Sequence, residues 1–100
     1  MKEPSEFDHR VWDEVRQIPW GETRTYGEIA DALGSQAQPV GVALGHLRRF
    51  PDMDAIVPWH RVTLKGGWLE INDRTRGQVR SLVLEGHTIT KSPEHFRVRS

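Results

Sequence analysis

The stretch from Thr25 to Arg49, "TYGEIADALGSQAQPVGVALGHLRR", decides how this 100-residue chain folds. Thr25 followed three residues later by Glu28 is a capping-box pattern, in which each side chain satisfies a backbone N–H at a helix start. It opens a short helix over "YGEIADAL", which Gly34 ends because glycine readily takes the left-handed conformation of a helix terminus. After the loop "GSQAQ", Pro39 fits the first turn of a second helix, "PVGVALGHLRR", whose Val40, Ala43, Leu44 and Leu47 make one apolar stripe. Two helices joined by a short glycine-containing turn, the second ending in Arg48 and Arg49, form a helix-turn-helix pattern, which can seat one helix in a DNA groove. Ordinary all-α cores use the same pattern, and at this level both readings stand. Gly41 and Gly45, four residues apart, leave one helix face without bulky side chains and open to a close backbone, whether of DNA or of another helix.

Upstream, "SEFDHRVWDEVRQIP" starts with a second capping box, Ser5 and Asp8, and repeats Phe7, Val11, Val15 and Ile18 at helical spacing until Pro19 stops it. "PWGETRT" is a turn. Downstream, Phe50 and Pro51 close the second helix of the pair. "AIVPWHRVTL" is too apolar and too proline-broken for a good helix, and "KGG" before "WLEI" suggests a turn and a short extended segment. "TRGQVRSLVLEG" reads as a last helix with Val79, Leu82 and Val83 inward and Gly86 just past its end. The tail "HFRVRS" alternates apolar and basic residues, as an exposed edge strand or an arm does. With no repeat, low-complexity linker or boundary, residues 1–100 are expected to form a single domain.

The 14 basic and 14 acidic side chains cancel, but unevenly. Residues 1–33 carry 4 basic and 8 acidic groups and residues 34–100 carry 10 and 6, a swing from −4 to +4 that creates a basic face for a polyanion or merely a solvated one. Cysteine is absent, which excludes disulfides, thiolate metal sites and a cysteine nucleophile. The five histidines lack close ligand spacing, so no metal is expected. No apolar run reaches the length of a membrane span and "MKEPSEFDHR" has no signal-like apolar region, so a soluble cytoplasmic protein is expected.

One candidate for chemistry remains, "IVPWHRV" at residues 56–62. His60 with Glu85 has the composition of a base oriented by a carboxylate, the usual means of activating a neighbouring nucleophile. No nucleophile stands beside it: Trp59 cannot attack anything, and Thr63 is a poor substitute. On spacing alone, a buried, hydrogen-bonded histidine is the more economical account.

The segments "IPWGETRTYGEIADALG", "VGVALGHL", "PWHRV" and "LEG" occur in an order and rough spacing that resembles the carboxy-terminal domain of the O6-alkylguanine-DNA alkyltransferases, over about residues 7–87. Those enzymes carry Pro-Cys-His-Arg-Val, and tryptophan in place of the cysteine is the mark of the alkyltransferase-like proteins. The resemblance implies a mainly α, small winged-helix-like single domain with a helix-turn-helix and short extended segments. It also implies a non-enzymatic sensor of DNA damage, which binds O6-alkylguanine in the minor groove of double-stranded DNA by base flipping. Such a sensor signals to nucleotide excision repair proteins, acts as a monomer associated with DNA, and needs no cofactor. A minor-groove module without lesion discrimination is the alternative, and a hydrolase using His60 and Glu85 on water is a third reading.

Residue by residue, the resemblance places Trp59, His60 and Glu85 at the positions of the nucleophile and its relay, so the relay is expected to be vestigial. Tyr26 matches the tyrosine that rotates the phosphate beside the flipped nucleotide, and Leu44 matches an apolar pocket wall. The Trp59 and Val62 carbonyls match those that read the guanine edge, and Asp73 matches a backbone N–H that reaches the guanine oxygen. Arg61 of the motif and Trp68 of the covering loop "GGWLEIND" complete the expected contacts, with Gly41 and Gly45 giving the backbone approach. Two positions depart from the family pattern. Gln38, followed by Pro39, stands where an arginine finger fills the gap left by the flipped base, and glutamine lacks that charge and planar stacking. Phe50-Pro51 replaces Asn-Pro, whose asparagine braces the active-site turn.

Overall fold

The computed structural model describes residues 3–92 and 95–99. Helix α1 spans Glu6–Arg16, and the reciprocal Ser5–Asp8 capping box forms as the sequence suggests. A two-residue strand β1, Arg24–Thr25, leads directly into α2, Tyr26–Leu33, which Thr25 and Glu28 cap reciprocally and Gly34 ends at φ +66°. α3 runs Ala37–Gly45 and tightens into a 3-10 turn at His46–Arg49. It starts two residues earlier than Pro39 suggests. Pro39 occupies the third helical position, where its missing N–H would have had no intrahelical partner.

The apolar rows of these three helices meet in the core. Val11, Trp12, Val15 and Ile18 of α1 and its exit pack with Ile29 and Ala30 of α2 and with Val40, Ala43, Leu44 and Leu47. Trp12, which the helical spacing of its aliphatic neighbours does not single out, is fully buried. Its indole N–H donates to the Ala43 carbonyl at 2.9 Å, so burying it strands no donor.

Beyond Phe50 the chain departs from the sequence reading in three places. Pro51 begins a helix, α4 at Pro51–Ile56, as well as closing the one before it. Proline suits a first helical position, and Asp52 and Asp54 in the first turn complement its dipole. After a 3-10 turn at Trp59–Arg61 comes strand β2, Val62–Thr63, which pairs in parallel with β1 through Arg24–Val62 and Thr25–Thr63. A further tight turn at Lys65–Gly67 precedes α5, Thr75–Leu84.

In α5 the inward row is Thr75, Gln78 and Leu82, continued by Glu85. Val83, expected inward, is 52% exposed, and Val79 is half-buried. Apolar periodicity fails here because the buried face is mostly polar, and its partners are backbone groups and charges. The final departure is a hairpin. β3, Thr88–Lys91, pairs antiparallel with β4, Phe96–Arg99, so the expected edge strand is one arm of a wing. Ser100, the last residue of that tail, lies outside the described residues.

Candidate nucleic-acid interface

The β1–β2 pairing fixes the site. Thr25 ends β1 and caps α2, which makes Tyr26 the first helical residue, and β2 begins where the Trp59–Arg61 turn ends. Two short strands therefore hold Tyr26 beside Trp59. Between them and α3 lies a cavity of about 300 Å³ lined by Tyr26, Gly41, Leu44, Gly45, Arg48, Trp59, Glu70, Asn72, Arg74 and Gln78. That volume is at the small end of what small-molecule pockets enclose.

Burial and the neighbouring Glu70 carboxylate push the Tyr26 hydroxyl up to about 12, so it stays a neutral O–H donor at any physiological pH. The Arg74 guanidinium lies 4.0 Å from the Trp59 ring centroid and also bonds both Asp54 oxygens, at 2.9 and 3.1 Å. α4 thus anchors the cation that covers the indole. Sequence reasoning misses Arg74. A partner twenty residues away on an unanticipated helix leaves no local pattern, although the proline-plus-aspartate start of that helix is a usable signal.

Behind Trp59 lies the brace. Glu85 is buried and receives four groups: His60 Nε2 at 2.6 Å, Arg61 Nη2 at 2.8 Å, Arg61 Nε at 2.9 and 3.1 Å, and the Gly21 N–H at 3.1 Å. Burial by itself would raise its pKa, but the hydrogen bonds from Arg61, His60 and Gly21 and the charge of His60 outweigh that and bring it from 4.5 to about 2. An ionised carboxylate only accepts, so His60 carries its proton on Nε2. Arg61 also donates to the Ile18 carbonyl at 3.0 Å. Gln78 completes the support, donating to the His60 and Val62 carbonyls at 3.2 and 3.1 Å.

The expected site residues therefore divide. Tyr26, Gly41, Leu44, Gly45 and Trp59 come together around the cavity. Gln38 is exposed on the first turn of α3 and lines an adjoining groove with Val42, Leu64 and Tyr26. His60 and Glu85 are in contact, as a relay requires. Arg61, expected to face DNA, is turned inward, because its guanidinium is taken up by Glu85 and the Ile18 carbonyl. Val62 is buried, and its carbonyl already accepts one hydrogen bond. Trp68 does not line the cavity but a separate groove by the wing. Asp73 is exposed and pairs with Arg48, which holds its carboxyl below the usual carboxylate range. Among the described residues no group of three His, Cys, Asp or Glu side chains is placed to hold a metal ion, and no helix is long and apolar enough to cross a membrane.

The open face of α3 is the other half of the site. Among the described residues, beyond the helix's own backbone, a methyl group at Gly45 would meet nothing within 4 Å, and one at Gly41 would meet only Tyr26 at 3.9 Å. Internal packing does not require either glycine. A helix-turn-helix with a wing, an open recognition-type helix and an aromatic cavity at its foot defines a small DNA-binding domain of the winged-helix kind. Residues 6–87 match the family described as 6-O-methylguanine DNA methyltransferase, DNA binding domain. The chain belongs to that family, as an alkyltransferase-like protein with Trp59 in place of the cysteine.

The chain is 46% identical over 67 residues to the methylated-DNA–protein-cysteine methyltransferase of Mycolicibacterium paratuberculosis, a match covering 65% of this chain and 38% of that protein. It therefore spans under two-fifths of the length of that methyltransferase. Alkyltransferase-like protein 1 of Schizosaccharomyces pombe is 42% identical over 77 residues, covering 75% of this chain and 68% of the relative. A crystal structure of Schizosaccharomyces pombe Atl1 in complex with damaged DNA containing O6-carboxymethylguanine superposes with a TM-score of 0.81 at 34% identity, over 99% of this chain and 93% of that one.

Proposed function

We propose that this protein is a non-enzymatic sensor that binds O6-alkylguanine in duplex DNA and signals to nucleotide excision repair. In this reading α3 enters the minor groove, its glycine face against the backbone. The damaged guanine flips into the cavity between Tyr26 and Trp59, and the complex is what the repair proteins detect. The protein acts as a monomer on DNA in the cytoplasm, without a cofactor. The observation that carries the reading is the combination at the cavity floor: an intact His60–Glu85 pair lies directly behind Trp59, whose indole can stack on a base but cannot attack an alkyl group. Extruding a nucleotide costs a few kcal/mol, and stacking of about 1–3 kcal/mol per base is the term that offsets it. Tyr26 supplies a permanent O–H donor for the rotated phosphate. The Val62 carbonyl keeps a second lone pair for the guanine edge, and Trp59 and Asp73 add backbone groups.

Titrating the protein with an O6-methylguanine duplex and its unmodified counterpart at fixed salt tests this directly. The expected outcome is tighter binding of the lesion duplex, with the alkyl group recovered intact on the DNA. Equal affinities would favour the second reading, a minor-groove module without discrimination, which the exposed Gln38 at the arginine-finger position supports. In that case Gln38→Arg should restore a preference for the lesion. Release of free methanol would overturn both in favour of hydrolysis.

A further inference from the structure

We propose that the wing is a second DNA contact, a phosphate clamp that grips the duplex backbone beside the α3 face. The inference rests on the DNA-binding reading above and adds a surface to it. The hairpin lies beyond residue 87, where the family match ends.

Register fixes the composition of its outer face. Thr88 is paired with Arg99 and Thr90 with Arg97, and directly opposed residues of an antiparallel pair share a side. Two guanidiniums and two hydroxyls thus stand together. Arg97 and Arg99 are exposed, and among the described residues neither has a carboxylate within ion-pair distance. Four of the chain's other arginines, Arg24, Arg48, Arg61 and Arg74, are neutralised in this way. Between the wing and the Lys65–Gly67 turn runs a groove of about 460 Å³ lined by Gly66, Trp68, Thr90, Ser92, Val98 and the two arginines, with no acidic side chain among the described residues that line it. The cavity at Trp59, by contrast, includes Glu70.

The clamp is also held in place. Arg97 donates from Nε to the Gly66 carbonyl at 2.9 Å and lies 5.0 Å from the Trp68 ring centroid, which leaves its terminal nitrogens without a protein acceptor among the described residues. Gly67 sits at φ +86°, where a Cβ would come within 2.8 Å of the Val98 carbonyl oxygen, so only glycine lets this turn close on β4. The Leu69 N–H donates to the Phe96 carbonyl at 2.9 Å. Through Leu64, which lines the groove beside Gln38 and Val42, the same turn continues into the α3 face. The turn that carries the wing is therefore tied, through Leu64, to the groove at α3. Residues two apart on a strand are separated by about 6.8 Å, comparable to successive phosphates along one DNA strand. Guanidiniums flanked by hydroxyls suit such oxygens.

The test compares the full chain with the Arg97→Gln/Arg99→Gln double variant, on lesion and unmodified duplexes, across a salt series. Losing two phosphate contacts should flatten the slope of log affinity against log salt by about 1.8, so that between 50 and 200 mM salt the parent loses about twelve-fold more affinity than the variant. Both duplexes should weaken by the same factor at low salt, leaving the ratio between them unchanged, because phosphate contacts carry no base information. Arg97→Lys/Arg99→Lys should keep the parent slope. An unchanged slope in the glutamine variant, with parent binding intact, overturns the clamp alone; a parent that binds neither duplex overturns the DNA-binding reading and the clamp with it. A change in the lesion-to-control ratio in the glutamine variant would also overturn the clamp, by placing the wing in lesion reading.

Discussion

The inward face of α5 and the outward face of α3 are two helical surfaces of opposite character. On α5, Thr75 donates to the Glu70 carbonyl and accepts from the Asn72 N–H, Gln78 donates to two carbonyls, and Glu85 gathers His60, Arg61 and Gly21. Every polar group named there is committed within the molecule. On α3, Gln38 and Val42 are exposed, and among the described residues a methyl at Gly45 would meet nothing and one at Gly41 only the edge of Tyr26. The contrast separates support from recognition. α5 holds the Trp59–Val62 segment in one geometry, and α3 presents a face left open, which the proposed function assigns to DNA.

The largest effect is expected on the α5 side. Glu85→Ala leaves Arg61 and His60 without their shared acceptor in a buried setting and should cost about 3–5 kcal/mol, read by urea denaturation. For a domain of this size that is a large part of the total stability. The same group sets an acid limb. Its folded pKa of about 2 lies below its ordinary 4.5, so its contribution of about 3 kcal/mol is complete above pH 4.5 and is lost as pH falls toward 2. Glu85→Gln should flatten the stability curve over that window. If the alanine variant is as stable as the parent, the brace is not what fixes the site, and the division between the two faces fails.

Tyr26 stands where the faces meet. Under the proposed function, Tyr26→Ala should weaken lesion-duplex binding by about thirty-fold, the cost of truncating a central aromatic contact, with little change in stability beyond that of a half-buried ring. Tyr26→Phe separates stacking from the hydroxyl and should lose a smaller part. Because the hydroxyl is pushed up to about 12, parent and phenylalanine variant should show parallel affinities between about pH 8 and pH 10, where an ordinary tyrosine begins to ionise. Divergence there would mean that Tyr26 titrates and that Glu70 does not hold it neutral.

What the sequence reveals follows the same division. The capping boxes at Ser5 and Thr25, the Gly34 stop and the stripe of Val40, Ala43, Leu44 and Leu47 are local signals, and the structure reproduces each. The inward face of α5 is not legible from periodicity, because Thr75, Gln78 and Glu85 are buried through hydrogen bonds to distant backbone and charge; the apolar Val83 therefore draws a reading it does not deserve. Arg61 illustrates the limit for the site. Its place in the motif suggests contact with DNA, but its direction is set by Glu85 and the Ile18 carbonyl, 24 and 43 residues away. Arg74 and the docking of the wing's Arg97 on the Lys65–Gly67 turn are missed because these partners are joined only in space.

The smallest and most discriminating change is Gly45→Ala. Gly45 has ordinary helical angles, φ −61° and ψ −31°, and open space where a methyl would go. Glycine in a helix costs about 0.5–1 kcal/mol relative to alanine, so the substitution should raise stability by that amount, a melting-point gain of a few degrees. The methyl would also stand on the face proposed to meet the DNA backbone and at the edge of the cavity, so lesion binding should fall by about ten-fold in the same protein. Opposite signs in the two measurements would show that the glycine is kept for a partner against the interest of the fold. A variant that gains stability and binds as well as the parent would mean that the bare face of α3 is only unoccupied, and that recognition must come from the Tyr26–Trp59 cavity and the wing.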